Sequence, residues 1–281
     1  MRTALECIPC FVRQALDSAR RAGLDKDTQR RVMDEVSDAL PGFSVEMTPP
    51  EIARIVYDIV DKYTSGLDVY KHIKEQSNRK CLDLYLRMKE DVSRAEDSIL
   101  AAIRLAAAGN VIDYGLPHAF DIEREIKECS SKKMAIFDYD EFRSELSSAR
   151  DILLVLDNAG EIVFDRILVE TLGKNTVCAV RGKHIINDVT IADAKQVGLD
   201  KTSRVISSGS RIPGTVVRDS TPEFKKYWED ADIVISKGQG NFETLGEEKR
   251  DVYFIFKAKC PVVARCLGCQ QGDIVLKKQK A

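Results

Sequence analysis

The sequence predicts an α/β protein, an N-terminal helical domain followed by a three-layer α/β/α domain with a mostly parallel sheet. Three observations carry this. The first third has apolar residues at helical spacing, with no strand signal before about residue 133. From about residue 150, short continuous apolar runs alternate with helical stretches. Such runs mark strands covered on both faces, and their alternation with helices implies parallel strands between two helical layers.

In the first third, Leu5, Ile8, Val12, Leu16 and Ala19 form one apolar stripe. Thr48, Pro49, Pro50 and Glu51 make a capping box with proline at the first helical position, and Ile52, Ile55, Val56, Ile59 and Tyr63 continue the helix behind it. A further helix spans roughly Lys80 to Val92. Ser93 and Glu96 read as a second capping box, opening a helix that stops at Gly109. The predicted domains are 1–109, a helical domain; 110–149, a junction; and 150–281, an α/β domain that binds metal and phosphate. Predicted strands are Ile152–Leu156, Val177–Val180, Arg204–Ile206, Ile233–Ile235 and Tyr253–Phe256. Helices are predicted at Glu161–Leu172, Ile191–Val197 and Pro222–Asp230.

Composition narrows the class. The chain has 281 residues, 44% hydrophobic and 31% charged, and a net charge of −2, ordinary for a globular enzyme and without the basic excess of a nucleic-acid binder. No run approaches the ~18 apolar residues of a membrane helix, and the N-terminus has no signal-peptide core, so the expected compartment is the cytoplasm. Of eight cysteines, Cys178 and Cys260 fall in apolar strand-like runs and are expected to be buried. Cys7 and Cys10, with Cys266 and Cys269, have the internal spacing of a four-cysteine zinc site, but the pairs lie far apart in sequence, and a redox pair or simple burial is the alternative. His72, His118 and His184 show no ligand spacing to one another and are expected to be structural or solvent-facing.

Ligands of parallel sheets bind beyond the carboxyl ends of the strands, so the residues following each apolar run matter most. Those are Asp157, Asn158 and Glu161; Arg181 with Asp188; a serine-glycine turn at Ser207–Ser210; Lys237, Gly238 and Gly240; and Lys257. Asp157, Asn158 and Asp188 offer hard oxygens suited to Mg²⁺ or Mn²⁺. Arg181, Lys237 and Lys257 offer charge for a phosphate, and the glycines let backbone N–H groups approach an anion. Glu161 also reads as a first-turn helix acid, and Asp188 as a helix cap. The combination suits phosphoryl transfer.

At these residues the chain resembles the metal-dependent damage-control phosphatases, the family also called domain of unknown function 89. The matching pieces include Glu6–Cys10, Asp68–Tyr70 with Lys74 and Asn78, Gly109–Asp113, Leu156–Glu161, Ile186–Thr190, Ser236–Asn241 and Lys257–Pro261. The likeness implies a divalent metal ion (Mn²⁺, Mg²⁺, Co²⁺ or Ni²⁺) at the sheet edge, with Asp157 and Asn158 as ligands. Asp188 is the implied third ligand, with Asp193 as the alternative. It further implies that Asn110 and Asp113 reach the cleft, that Lys237 is the phosphate cation, and that the substrate is a small phosphorylated metabolite, with no nucleic-acid or membrane partner. The Cys7–Cys10 pair suggests the archaeal and bacterial branch, and Val69 stands where the family usually has proline. The competing readings are an S-adenosylmethionine-dependent methyltransferase and a non-catalytic protein that binds a phosphorylated metabolite.

Overall fold

The computed structural model describes residues 1–109, 126, 128 and 131–281. Asn110, Asp113 and His118 lie outside the described residues. Helices α1 (Cys7–Arg21), α2 (Lys26–Ala39) and α3 (Pro49–Thr64) pack around their own apolar core. Thr48 and Glu51 make the expected reciprocal cap on α3. Helix α2 escaped the periodicity reading because its stripe is sparse: only Thr28, Val32 and Val36 are buried. Asp25 caps it by accepting a hydrogen bond from the Thr28 amide.

Helix α4 (Lys71–Arg94) begins nine residues before the expected start and runs through Ser93, whose hydroxyl donates back to the Glu90 carbonyl. The cap of α5 (Ser98–Gly109) is therefore Asp97, which accepts from the Leu100 amide, and the expected Ser93–Glu96 box is not used. The apolar faces of α4 and α5 join the core on one side of the sheet.

The sheet comprises β1 (Ile136–Phe137), β2 (Asp151–Val155), β3 (Asn175–Val180), β4 (Arg204–Ser207), β5 (Ile233–Lys237), β6 (Val252–Lys257) and β7 (Ile274–Gln279), in the order β1-β7-β6-β5-β2-β3-β4. Strands β2 to β6 are mutually parallel, and β7 is antiparallel to β6. The expected class is thus the observed one. Strand β1, at one edge, and its neighbour β7 were not foreseen. Strand β1 is two residues long, and half of the β7 residues are lysine or glutamine, so neither forms a continuous apolar run. Helices α6 (Tyr139–Ser148) and α7 (Glu161–Leu172) cover the face that carries Ile152, Leu154 and Ile235. After α8 (Ile191–Gln196) come α9 (Pro222–Asp230), α10 (Gln239–Leu245) and α11 (Pro261–Leu267), which cover the face that carries Leu153, Val155 and Val234. Alternate residues of β2 serve opposite cores, as the two-residue period of a strand requires. Cys178 is buried in β3, whereas Cys260 caps α11 and is partly exposed, because the apolar run of β6 ends before it. No helix among the described residues is long and apolar enough to cross a membrane.

The chain reverses direction across the sheet between β2 and β5. It winds outward through β3 and β4, then returns to the other side of β2. The two strand ends at this switch point cannot both be covered by the same connection, which leaves a crevice.

Glu243, in α10, gives the fold a pH dependence. Burial pushes its carboxyl up to about 7, against the hydrogen bond donated by Gln239. A carboxyl whose folded pKa exceeds its unfolded one holds extra proton in the folded state. Its ionisation therefore lowers stability as pH rises from the ordinary glutamate value of 4.5 through about 7. Glu243→Gln removes that charge, and is expected to stabilise the protein above pH 7 by up to about 3 kcal/mol, with no gain near pH 4. Urea unfolding at the two pH values measures the difference; equal gains at both would disprove the assignment.

Candidate functional site

Strand β2 delivers Asp157 and Asn158 to the switch point, and the loop after β3 folds back to meet them. That loop turns at Ile185–Asp188, where the Asp188 amide donates to the Ile185 carbonyl at 3.0 Å. Beyond the turn Asn158 and Asp188 pair as an isolated antiparallel bridge. The Ala159 amide donates to the Asn187 carbonyl at 2.9 Å, and the Val189 amide to the Asp157 carbonyl at 2.8 Å. Backbone pairing therefore brings Asp157, Asn158 and Asp188 together although 31 positions separate the first from the last.

Arg181, fully buried, organises these side chains. Its Nε donates to Asp188 at 2.6 Å and its Nη2 to Asp157 at 3.3 Å, while Nη1 donates to Thr215 and Asn241 at 2.9 and 3.1 Å. The Asn158 amide donates to the second Asp157 oxygen at 2.6 Å and to Glu161 at 3.3 Å. The Asp157 carboxylate lies directly over Gly238. A Cβ there would come within 1.9 Å of it, and the backbone φ of +82° independently favours glycine.

Lys237 differs from its expected role. Its ammonium donates to Glu161, to Asp165 at 2.6 Å and to the Ala106 carbonyl at 2.9 Å, and it is fully buried. All three of its hydrogens are engaged, so it is not turned toward a ligand. A lysine in a central strand needs carboxylates around it, and α7 supplies two. Burial opposes its charge, but Asp165 and Glu161 outweigh that and hold its pKa above the ordinary lysine range. Arg181 is likewise engaged with carboxylates rather than open to a phosphate. Asp193 caps α8, accepting from the Thr190 amide and hydroxyl at 2.8 and 2.7 Å and from Lys74 at 3.2 Å. All of these contacts fall on one oxygen of the carboxylate, Oδ2.

Lys257, at the carboxyl end of β6, is partly buried, and Lys259 is exposed. Neither makes an ion pair among the described residues. Burial pushes Asp157 up to about 8, reinforced by the charges of Asp188 and Glu161 and countered by Arg181 and Lys259. Burial also raises Asp188, again countered by Arg181 and Lys259. Lys259 is thus an electrostatic neighbour of both aspartates that sequence reasoning did not single out. Its signal was a second lysine at the same strand exit, two residues after Lys257. Asn78 and Asn241 belong to the matching pieces but were given no role from the sequence. Asn78 accepts from the Gly160 amide at 2.7 Å and donates to Gln196 at 2.8 Å; Asn241 donates to the Leu156 and Lys237 carbonyls. Both hold the backbone of the strand exits from a distance in sequence.

Oxygen donors that could hold a divalent cation lie close together here. Four buried carboxylates (Asp157, Glu161, Asp165 and Asp188) gather with two buried cations, Arg181 and Lys237. Asp157, Asn158 and Asp188 provide the hard-oxygen donors. The cysteine pairs form no such site. Cys10 and Cys266 are exposed, and no three His, Cys, Asp or Glu side chains among the described residues gather to hold a metal.

A doubly wound sheet with an acidic, cation-braced crevice at its switch point defines an α/β protein with a ligand site between β2 and β5. The sequence matches the damage-control phosphatase ARMT1-like domain over residues 3–275. It is 35% identical to a damage-control phosphatase of Pyrococcus horikoshii over 291 residues, covering 100% of this chain and 99% of that one. A damage-control phosphatase of Archaeoglobus fulgidus is 28% identical, covering 99% of each. The fold superimposes on the crystal structure of a DUF89 family protein from Pyrococcus horikoshii with a TM-score of 0.90 and 33% identity, over 100% of both chains. The chain belongs to the damage-control phosphatase ARMT1-like family, the DUF89 family, and is a phosphatase by that membership.

Arg181 is the test of the site's internal electrostatics. Arg181→Met leaves Asp157 and Asp188 buried without their shared counter-charge, and is expected to cost about 3–5 kcal/mol of stability. Arg181→Lys should recover little of it, because an ammonium cannot reproduce the fork that spans both carboxylates. Guanidinium unfolding curves for the two variants check this, and an unshifted midpoint for Arg181→Met would contradict the role.

Proposed function

We propose that the protein is a divalent-metal-dependent phosphomonoester hydrolase acting on small phosphorylated metabolites, sugar phosphates or phosphopantetheine-like esters, in the cytoplasm. The observation that carries this reading is the meeting of Asp157, Asn158 and Asp188 at the switch point. These three residues hold the ion, which is Mn²⁺, Mg²⁺, Co²⁺ or Ni²⁺. When bound, the ion polarises the phosphoryl group and lowers the pKa of a coordinated water.

The chain's own residues divide the remaining work. Arg181 aims the two aspartates by donating to both. Lys237 and Glu161 form the buried brace beneath them, with Glu161 also holding the Asn158 amide. Lys257 and Lys259, at the carboxyl edge of the sheet, meet the phosphate and offset the charge that develops on it. The Gly238 backbone leaves the space that Asp157 occupies. Asp113 is assigned as the group that orients or deprotonates the attacking water, since Asp188 is already engaged by Arg181. Asn110 is assigned a catalytic role as well.

Asp157→Ala is expected to abolish metal-stimulated turnover, a fall of at least about 10³-fold, while the far-UV circular dichroism stays unchanged. The assay is a panel of phosphate esters run with Mg²⁺, Mn²⁺, Co²⁺ and Ni²⁺ in turn. Turnover by Asp157→Ala equal to the parent's with every metal would sink the mechanism.

A further inference from the structure

Cys7 and Cys10 both fall in the first turn of α1, and both are free thiols. Residues three apart on a helix share a face, and the charge of Cys10 acts on Cys7, so the two are electrostatic neighbours. Helix geometry sets their Cα atoms about 5 Å apart, inside the span of a disulfide. Their Cβ atoms must close by about 1–2 Å to form one. This end of the helix can yield that much, because first-turn amides need no acceptor within the helix. The chain also enters α1 through tighter turns, the Cys7 amide donating to the Ala4 carbonyl at 3.0 Å and the Ile8 amide to the Leu5 carbonyl at 3.1 Å. In such turns side chains three apart come into line. Pro9, between the cysteines, has no amide hydrogen to lose and fixes its own φ, which keeps the turn ordered.

The two thiols differ in access. Cys10 is exposed, whereas Cys7 is half-buried. The start of α1 lies against α11: Glu6 pairs with Arg265, and the charge of Cys260 reaches Cys7. Burial raises the Cys7 thiol, countered by the Ala4 backbone and reinforced by the charges of Glu243, Cys260 and Cys10. A thiol so placed is a slow first attacker and, once bonded, a poor leaving group. The exposed cysteine therefore meets the reagent and the sheltered one closes the bridge. Cys260 is already engaged. Its sulfur caps α11, accepting from the Val263 amide at 3.5 Å, and accepts from Gln239 at 3.6 Å.

We propose that Cys7 and Cys10 are a redox-active dithiol, a site of thiol–disulfide exchange with low-molecular-weight disulfides. In the first step the Cys10 thiolate attacks one sulfur of the small disulfide, whose S–S bond breaks and releases one small thiolate. In the second the Cys7 thiolate attacks the Cys10 sulfur. The mixed disulfide breaks, the Cys7–Cys10 bond forms and the second small thiolate leaves. The two cysteines give up two electrons and two protons, and the small disulfide takes up both and ends as two thiols. The proposal is independent of the phosphatase reading.

The test equilibrates the folded full chain with glutathione and glutathione disulfide over a range of ratios, then quenches, alkylates the remaining thiols and digests with trypsin. Both cysteines fall in the tryptic peptide 3–13, and Cys260 falls in 260–265, so mass spectrometry separates the possible products. The expected product from the unmodified protein is peptide 3–13 lighter by two hydrogens and without alkyl groups. Cys7→Ser should stop at the mixed disulfide, with one glutathione on Cys10, and Cys10→Ser should leave Cys7 alkylated. Three results from the unmodified protein overturn the proposal: both cysteines alkylated at every ratio, a persistent mixed disulfide on Cys10, or peptide 3–13 joined to 260–265.

Discussion

The arrangement at the switch point depends on one constraint: buried carboxylates require buried counter-charge. Arg181 answers it on one side of the crevice and Lys237 on the other, each fully enclosed. The guanidinium reaches Asp157 and Asp188 simultaneously because its donors are fixed in a plane. A single ammonium has no such reach, and Lys237 instead collects Glu161 and Asp165, which lie one helical turn apart on α7. The two braces together hold four buried carboxylates at the mouth of the sheet.

The site is also held from outside the sheet. Asn78 on α4 captures the Gly160 amide, and Lys74 on the same helix grips Asp193. Ile185 anchors the loop after β3 in the core of α1–α3. The helices before the sheet therefore determine how the acidic loops lie, and they form a wall that the strand ends alone would lack.

The strand exits were legible in the sequence because continuous apolar runs mark buried parallel strands, and the polar residues after them must lie at one edge. Asp157, Asn158 and Asp188 were found this way. The fault lay in reading every cation at that edge as a phosphate ligand. The sequence placed Lys237 at the end of β5 but carried no sign of its direction, which depends on α7 presenting Glu161 and Asp165 to it. The contacts of Asp193 were hidden for the same reason: local pattern allowed a helix cap but not the pairing with Lys74. The Ser93–Glu96 box failed because α4 continues through it, packing through Val92 against the sheet's core.

By itself the sequence determined the fold class, the central strands and the membership of the acidic edge, because periodicity and turn chemistry are local properties. Only the tertiary structure decided which charges neutralise one another and which of them are buried. Those outcomes depend on distances between segments far apart in the chain, and on burial, which turns an ordinary lysine or arginine into a fixed counter-ion. Local pattern names the participants; packing assigns their partners.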